Sequence, residues 1–226
     1  MEKKMYKIAA TVLKRLDRTG VLQSVVLIGS WSLYFYRYYF NSSNYSGYIR
    51  TYDMDFLVPI PVKMKGTVNI LELIEDLGFV TQFVGRHGYV RLAHPDLIIE
   101  FLAPERGRGR TKPYEIPQLH VNAQTIRYLD FLLEHVITIQ AEGIRLQVPH
   151  PAAYALHKFI IFKRRRNSDN GERDLEGALR VYRELVRGHK QKDMQRIFNS
   201  MHARWQKTVI RNLRAAGEDE IIELLA

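Results

Sequence analysis

The sequence contains no cysteine in 226 residues, which excludes disulfides, thiolate metal sites and a cysteine nucleophile. It also lacks long apolar runs: the longest covers residues 152–156, whereas a membrane span needs about 18 apolar residues. The N-terminus has no apolar stretch of the kind that marks a secretory signal. From these absences we expect a soluble, cytoplasmic protein without a membrane-spanning segment.

Two widespread nucleotide-binding signatures are missing as well. No segment reads Gly-x-x-x-x-Gly-Lys-Ser/Thr and no Gly-x-Gly-x-x-Gly follows a predicted strand, so neither a P-loop nor a Rossmann dinucleotide site is predicted. Acidic residues are in deficit, with 24 Asp and Glu against 34 Lys and Arg, and the formal charge of +10 favours an anionic partner. Apolar residues make up 46% of the chain, which is enough for a buried core.

The hydrophobic pattern changes character near Val148. Before that point helical segments alternate with short strands, which predicts a mixed α/β domain over residues 1–148. After it, apolar residues recur at helical spacing, which predicts a helical C-terminal domain over residues 149–226. The predicted fold class is therefore α+β, with a mixed β-sheet flanked by helices and followed by a helical domain. Within the first half, residues 131–140 are predicted to form a strand.

The first candidate functional feature is the turn at Gly29 and Ser30. A buried strand is predicted over residues 25–28 and an aromatic-rich helix over 31–40, so the pair lies at a strand-to-helix turn. Glycine lets a backbone approach a phosphate closely, and a helix N-terminus offers free N–H groups to an anion. The turn indicates a phosphate-binding site, although the same dipeptide also serves as an ordinary helix cap.

An Asp-x-Asp pair, Asp53 and Asp55, is the second feature. Apolar Met54 and Phe56 alternate with the acids, which predicts a strand with both carboxylates on one face. Two adjacent carboxylates repel each other unless a cation compensates, and Mg²⁺ commonly bridges such groups to substrate phosphates. The pair therefore predicts a metal site; the alternative is a solvated strand face.

The third feature is Glu100, an isolated acid in an otherwise apolar strand predicted over residues 97–102. Burying a carboxylate among apolar side chains costs several kcal/mol unless the group is paired or metal-bound. We expect Glu100 to form a salt bridge, to lie on an edge strand, or to join Asp53 and Asp55 from a neighbouring strand. Three such acids could hold two divalent ions about 3.5–4 Å apart.

Together, Gly29-Ser30 after an apolar strand, Asp53-x-Asp55 on a second strand and Glu100 on a later one resemble the nucleotidyltransferase superfamily related to DNA polymerase beta. The resemblance implies a nucleotidyltransferase-like sheet. It also implies Mg²⁺-dependent transfer of a nucleoside monophosphate from an NTP to an acceptor hydroxyl, with release of pyrophosphate. By position, the turn would contact the triphosphate, and the three acids would be catalytic ligands of two Mg²⁺ ions.

The second half adds a further match. Residues 151–158 followed by Arg173-Asp174 are similar to the region after the catalytic domain in AbiEii-like and other predicted bacterial nucleotidyltransferases. This likeness implies that Lys158 reaches the triphosphate and that Asp174 orients it or a nearby basic group. A solvated helix lysine is the alternative for Lys158.

A glycine-containing basic loop follows the strand of Glu100. Its basic residues are Arg106, Arg108, Arg110 and Lys112. Arginines on a flexible loop suit phosphate contacts, so we predict that the loop binds an RNA acceptor, tRNA above all, together with a second basic run at residues 163–166. Solvated charge runs are the alternative.

Functions of other classes stay open at this point. One is a catalytically inactive member of the same fold that binds nucleotide or RNA, or that serves in a toxin–antitoxin-type system. Another is an Asp-x-Asp glycosyltransferase, which would also bind a metal and a nucleotide diphosphate. The short chain and the Gly-Ser turn ahead of the acids disfavour the glycosyltransferase.

Overall fold

The computed structural model describes residues 2–41, 52–105, 107, 112–165 and 168–226. At its centre lies a mixed β-sheet. The strands run Val26–Ile28 (β1), Asp53–Leu57 (β2), Val80–Val84 (β3), Tyr89–His94 (β4), Leu97–Pro104 (β5), Tyr114–Ile116 (β6), Val121–Ile126 (β7), Val136–Ala141 (β8) and Ile144–Pro149 (β9). Their order is β3-β4-β5-β2-β1-β9-β8, and β7, which pairs with β6, lies beside the end of β5.

Helices flank this sheet and make up the C-terminal part of the chain. They run Glu2–Arg18 (α1), Ser30–Phe40 (α2), Ile70–Ile74 (α3), Leu129–Glu134 (α4), Pro151–Ile161 (α5), Ser168–Arg187 (α6), Gln191–Ser200 (α7), Ala203–Arg214 (α8) and Asp219–Leu225 (α9). This arrangement confirms the predicted fold class.

Helix α5 is the centre of the C-terminal part. It is apolar on all sides rather than along one stripe, the pattern of a helix with neighbours all around it, and it packs against α6, α7 and α8. Asn212 of α8 is buried and donates its side-chain N–H groups to the carbonyls of Phe159 (2.8 Å) and Ile160 (3.2 Å). These bonds satisfy carbonyls near the end of α5 and fix its position against α8.

The alternation of β2 decides which of its residues enter the core. Met54 and Phe56 are fully buried, and the ring of Phe56 stacks on that of Phe101 of β5 with 5.7 Å between centroids. Trp31 and Tyr36 of α2 are buried as well. The apolar positions of these elements hold the sheet and helices together, which leaves the intervening polar positions of β2 on the other face.

One predicted element is wrong. The strand expected over residues 131–140 begins instead as helix α4 and becomes strand β8 only at Val136. Leu129, Phe131 and Leu132 are buried in α4, and a stretch of six residues is too short for hydrophobic periodicity to separate helix from strand.

The predicted domain boundary near Val148 falls inside β9, which leads directly into α5. The division of the chain into two domains stays a prediction. Among the helices in the described part of the chain, none combines the length and apolar character that crossing a bilayer requires.

Candidate active site

The predicted acidic residues lie on two adjacent strands. β2 and β5 are parallel neighbours, and Asp55 is the register partner of Glu100. Register partners project to the same face of a sheet, as do residues two apart on one strand. The structure therefore places Asp53, Asp55 and Glu100 on one face, opposite the buried side chain of Met54.

The turn at Gly29 lies directly against this acidic face. β1 is antiparallel to β2 with Ile28 opposite Asp55, and Gly29 follows with φ 69° and ψ −150°, a conformation essentially restricted to glycine. A Cβ atom on this residue would lie 2.8 Å from Asp55 Oδ2. The hydroxyl of Ser32 donates to the Gly29 carbonyl at 2.7 Å, and α2 begins at Ser30. The N-terminus of α2 is thus held next to a carboxylate of the acidic face.

Asp55 is in an environment that disfavours its charge. Burial raises its pKa to about 7, and the nearby charges of Glu100 and Asp53 contribute to the rise. Lys158 and Arg165 act in the opposite direction but do not cancel it. Burial and the two neighbouring acids therefore disfavour the ionised form of Asp55.

Lys158 reaches the same region from helix α5. Its side chain is only 10% exposed, its ammonium donates to Asp174 Oδ1, and Arg165 Nε donates to the other carboxylate oxygen at 2.9 Å. Burial alone would raise the pKa of Asp174, but the two cations outweigh it and bring the pKa below its usual value. Asp174 is therefore ionised and holds Lys158 and Arg165 in fixed positions.

One cavity of about 550 Å³ joins these groups. Its walls come from β1, β2, β5, β7 and helices α2, α4, α5 and α6. The predicted site residues that line it are Gly29, Ser30, Asp53, Asp55, Glu100, Lys158 and Asp174. Residues more than 120 positions apart in sequence thus meet in one concave site, which is the usual form of a small-molecule site.

Glu100 differs from the two aspartates in having a partner. Arg91 is its register partner on β4, and Arg91 Nε donates to Glu100 Oε1. Asp53 and Asp55 form no ion pair within the described residues. Among the side chains that the structure describes, no group of three or more histidine, cysteine, aspartate or glutamate residues is arranged to hold a metal ion. The aspartate pair and Glu100 are therefore separate in their contacts, although they share one face.

Two residues of this region were not among the predicted candidates. Arg91 lies on β4, and only the register of β4 against β5 reveals its role. His157 lines the cavity but is only 6% exposed, and burial lowers its pKa to about 3, so the imidazole is neutral. Its Nε2 atom has no hydrogen-bond partner within the described residues. A lone histidine in an apolar helix gives no signal of this in the sequence.

The predicted RNA-binding loop lies almost wholly outside the described residues. This holds for Arg106, Arg108 and Arg110. Lys112 is described and exposed, and it does not line the cavity. The role of this loop stays a prediction.

Comparison with known families decides the classification. The family model described as nucleotidyltransferase matches residues 7–203, which is most of the chain and includes the acidic strands, the glycine turn and helix α5. The chain belongs to the nucleotidyltransferase family. This confirms the resemblance predicted from the glycine turn and the acids. A comparison with curated proteins finds no match.

Two solved structures align with nearly the full length of this chain. An antigenic nucleotidyltransferase-like protein from Paracoccidioides brasiliensis is 14% identical, with 99% of this chain and 92% of that one covered at a TM-score of 0.51. The antibiotic-resistance factor ANT(2'')-Ia is 11% identical, with coverage of 97% and 98%, but its TM-score of 0.43 is too low to support any inference. The first likeness shows that the fold is nucleotidyltransferase-like.

Proposed function

We propose that this nucleotidyltransferase transfers a nucleoside monophosphate from a nucleoside triphosphate to an acceptor hydroxyl and releases pyrophosphate. The observation that carries the proposal is the cavity in which an aspartate pair, a glycine turn at a helix N-terminus and a buried lysine meet. Each of these groups suits one part of a metal-bound triphosphate. Membership of the family supports the same reaction class.

Asp53 and Asp55 would hold a divalent cation, for which we propose Mg²⁺. Their donor set fits such an ion because two carboxylates lie on one face without an ion-pair partner among the described residues. Burial first, and then the charges of Glu100 and Asp53, raise the pKa of Asp55, and a bound cation would offset these effects. A cation bound there would neutralise charge on the nucleotide phosphates. Two Mg²⁺ ions, as the resemblance implies, stay a prediction.

The triphosphate would lie between the start of α2 and helix α5. Gly29 has no side chain to block a phosphate, and α2 begins directly after it, where a helix N-terminus offers partial positive charge. Lys158 supplies a full positive charge from the other wall. Asp174 acts through Lys158 by fixing its ammonium, so we propose a positioning role for it.

In the proposed reaction the acceptor oxygen forms a bond to the α-phosphorus while the hydroxyl passes its proton to a water molecule of the solvent. The bond from that phosphorus to the bridging oxygen of the β-phosphate breaks, and pyrophosphate leaves with the electron pair. The chain contributes mainly by holding the reacting groups in line and by supplying fixed charges around them.

For the acceptor we propose RNA, tRNA above all. This part rests on the composition of the basic loop after β5 and on the net charge of +10, which suit a polyanion. The cytoplasmic location expected from the sequence likewise stays a prediction.

The proposal is tested with the double variant Asp53→Asn, Asp55→Asn. The full chain is incubated with Mg²⁺, each labelled NTP and a cell extract, and pyrophosphate release and label transfer are measured. Because the variant lacks both cation ligands, we expect turnover to fall at least about 10³-fold. Asp219→Asn, an exposed acid in the last helix, is the matched control and keeps wild-type turnover. Undiminished turnover in the double variant would refute the assignment.

A second candidate, a nucleotide-binding member without catalysis, is favoured by the pairing of Glu100 with Arg91. It predicts that NTP and Mg²⁺ raise the melting temperature while no acceptor in the extract takes up label. Stabilisation by a sugar nucleotide rather than an NTP would instead indicate the glycosyltransferase alternative.

A further inference from the structure

Arg91 provides the acidic face with a cation of its own. It projects from β4 in register with Glu100, which is itself in register with Asp55 on β2, so a row of three charged residues crosses three neighbouring strands. The hydrogen bond to Glu100, with the charges of that glutamate and of Asp53 and Asp55, raises the pKa of Arg91. The guanidinium is therefore permanently charged and acts on the whole acidic face.

The contact between Arg91 and Glu100 makes Glu100 different from Asp53 and Asp55. Glu100 has one carboxylate oxygen engaged by Arg91, and both side chains are partly shielded, at 23% and 34% exposure. A charge-assisted hydrogen bond of this kind competes directly with a metal ion for the oxygen lone pairs. Asp53 and Asp55 have no such partner among the described residues, so the uncompensated charge is concentrated on them.

Other cations near the site do not change this difference. Lys158 and Arg165 are bound to the two oxygens of Asp174, which lies on helix α6 rather than on the sheet. Their charges reduce the repulsion at Asp55 without bonding to it. The aspartate pair is thus the part of the described acidic face that is ready to receive a divalent ion.

We propose that Arg91 occupies Glu100 and limits the nucleotide-free protein to one tightly bound divalent cation, held by Asp53 and Asp55. Arg91 is in this sense a positioning residue: it acts through Glu100 and sets the affinity for a second cation. The inference rests on the proposed function, because it takes the aspartate pair as the first cation site. It predicts that the second ion binds well only when nucleotide phosphates supply further ligands.

The experiment counts ions rather than turnover. The full chain without nucleotide is titrated with Mn²⁺, and free Mn²⁺ is measured by electron paramagnetic resonance. We expect one bound Mn²⁺ per wild-type chain. In Arg91→Gln a second Mn²⁺ should bind about tenfold more tightly than in the wild type, because the Glu100 carboxylate no longer has to leave a charge-assisted hydrogen bond to bind it. Arg91→Met also removes the charge but keeps a long side chain, and we expect the same tighter binding of the second Mn²⁺. It replaces Arg91→Gln in the titration if that variant does not fold.

Two controls separate the role of Arg91 from a general loss of positive charge. Arg91→Lys keeps the charge and should bind one ion, as the wild type does. Arg127→Gln removes an arginine that lines the cavity and pairs with Glu105, and it should leave the titration unchanged. A gain of the second site in Arg127→Gln would overturn the inference.

The remaining outcomes are distinguishable. If the wild type binds two equivalent ions, or if Arg91→Gln and Arg91→Met both titrate as the wild type does, the inference is wrong while the proposed function stands. If the double variant Asp53→Asn, Asp55→Asn retains wild-type Mn²⁺ binding, the metal site of the proposed function fails as well. Loss of binding in that variant supports the aspartates as the first site.

Discussion

Replacing Gly29 with alanine tests whether the turn and the acidic face work as one unit. At φ 69° and ψ −150° the backbone lies in a region essentially restricted to glycine, for which we estimate a cost of about 2–3 kcal/mol in an alanine variant. The new Cβ would also lie 2.8 Å from Asp55 Oδ2, so the carboxylate has to move. At roughly 2–4 °C per kcal/mol for a chain of this size, we expect the melting temperature to fall by about 4–12 °C.

The displacement of Asp55 has a consequence beyond stability. A cation ligand that shifts by a few tenths of an ångström loses affinity, and we expect Mn²⁺ to bind about 10–100-fold more weakly to Gly29→Ala. Gly217→Ala is the matched control, since Gly217 also has positive φ (75°) but a Cβ there would meet nothing within 4 Å. It should lose about 1–2 kcal/mol and bind Mn²⁺ normally. If Gly29→Ala binds Mn²⁺ as tightly as Gly217→Ala does, the close approach of the turn to the acid has no functional meaning.

Two further predictions concern the helical wall of the cavity. Asp174→Asn leaves the buried ammonium of Lys158 without a charged partner, and we expect it to lower the free energy of unfolding in urea by about 3–5 kcal/mol. Glu176→Gln breaks a more exposed ion pair and should lower it by less than about 1 kcal/mol. Equal losses in the two variants would contradict the reasoning. Burial lowers the pKa of His157 to about 3, whereas its value in the unfolded chain is near 6.5. Between these pH values the imidazole is protonated in the unfolded state but not in the folded one, so the protein loses stability as the pH falls through this window. The free energy of unfolding of His157→Gln should therefore depend less on pH than that of the wild type, by up to about 1.4 kcal/mol per pH unit. Asp55, with its raised pKa, contributes the opposite sign in both proteins and cancels in the difference, so identical slopes would refute the assignment to His157.

The sequence predicts the acidic strands well because their pattern is local. In β2 the alternation of Asp53 and Asp55 with buried Met54 and Phe56 fixes both the strand and the face of each residue. The fold class follows from the same kind of signal. The register that sets Glu100 beside Asp55 is a long-range property, which the family resemblance suggested and strand periodicity alone could not supply.

What the sequence could not reveal depends on contacts between distant elements. The sequence pattern did not predict β6 and β7, and one reason is the polar residue Asn122 in β7. Its buried side chain accepts a hydrogen bond from the N–H of Val90 (2.8 Å) and donates one to the carbonyl of Gly88 (3.1 Å). A polar residue that is satisfied in this way interrupts the apolar alternation by which a strand is recognised. The pairing of Arg91 with Glu100 is hidden for a related reason, since it exists only once β4 and β5 are aligned.

Lys158 belongs to the second predicted domain, but it lines the same cavity as the acids of the first. β1 and β9 are parallel neighbours, with Val26 opposite Gln147, so their carboxyl ends lie at the same edge of the sheet. β1 continues there into the Gly29 turn and α2, while β9 continues into α5, which His150 caps by accepting the N–H of Ala152 at 3.2 Å. Because β2 is antiparallel to β1, its first residues, the aspartates, meet the same edge. The register of three strands therefore sets the separation between the acids and the lysine wall, and a boundary near residue 148 passes through the candidate site rather than beside it.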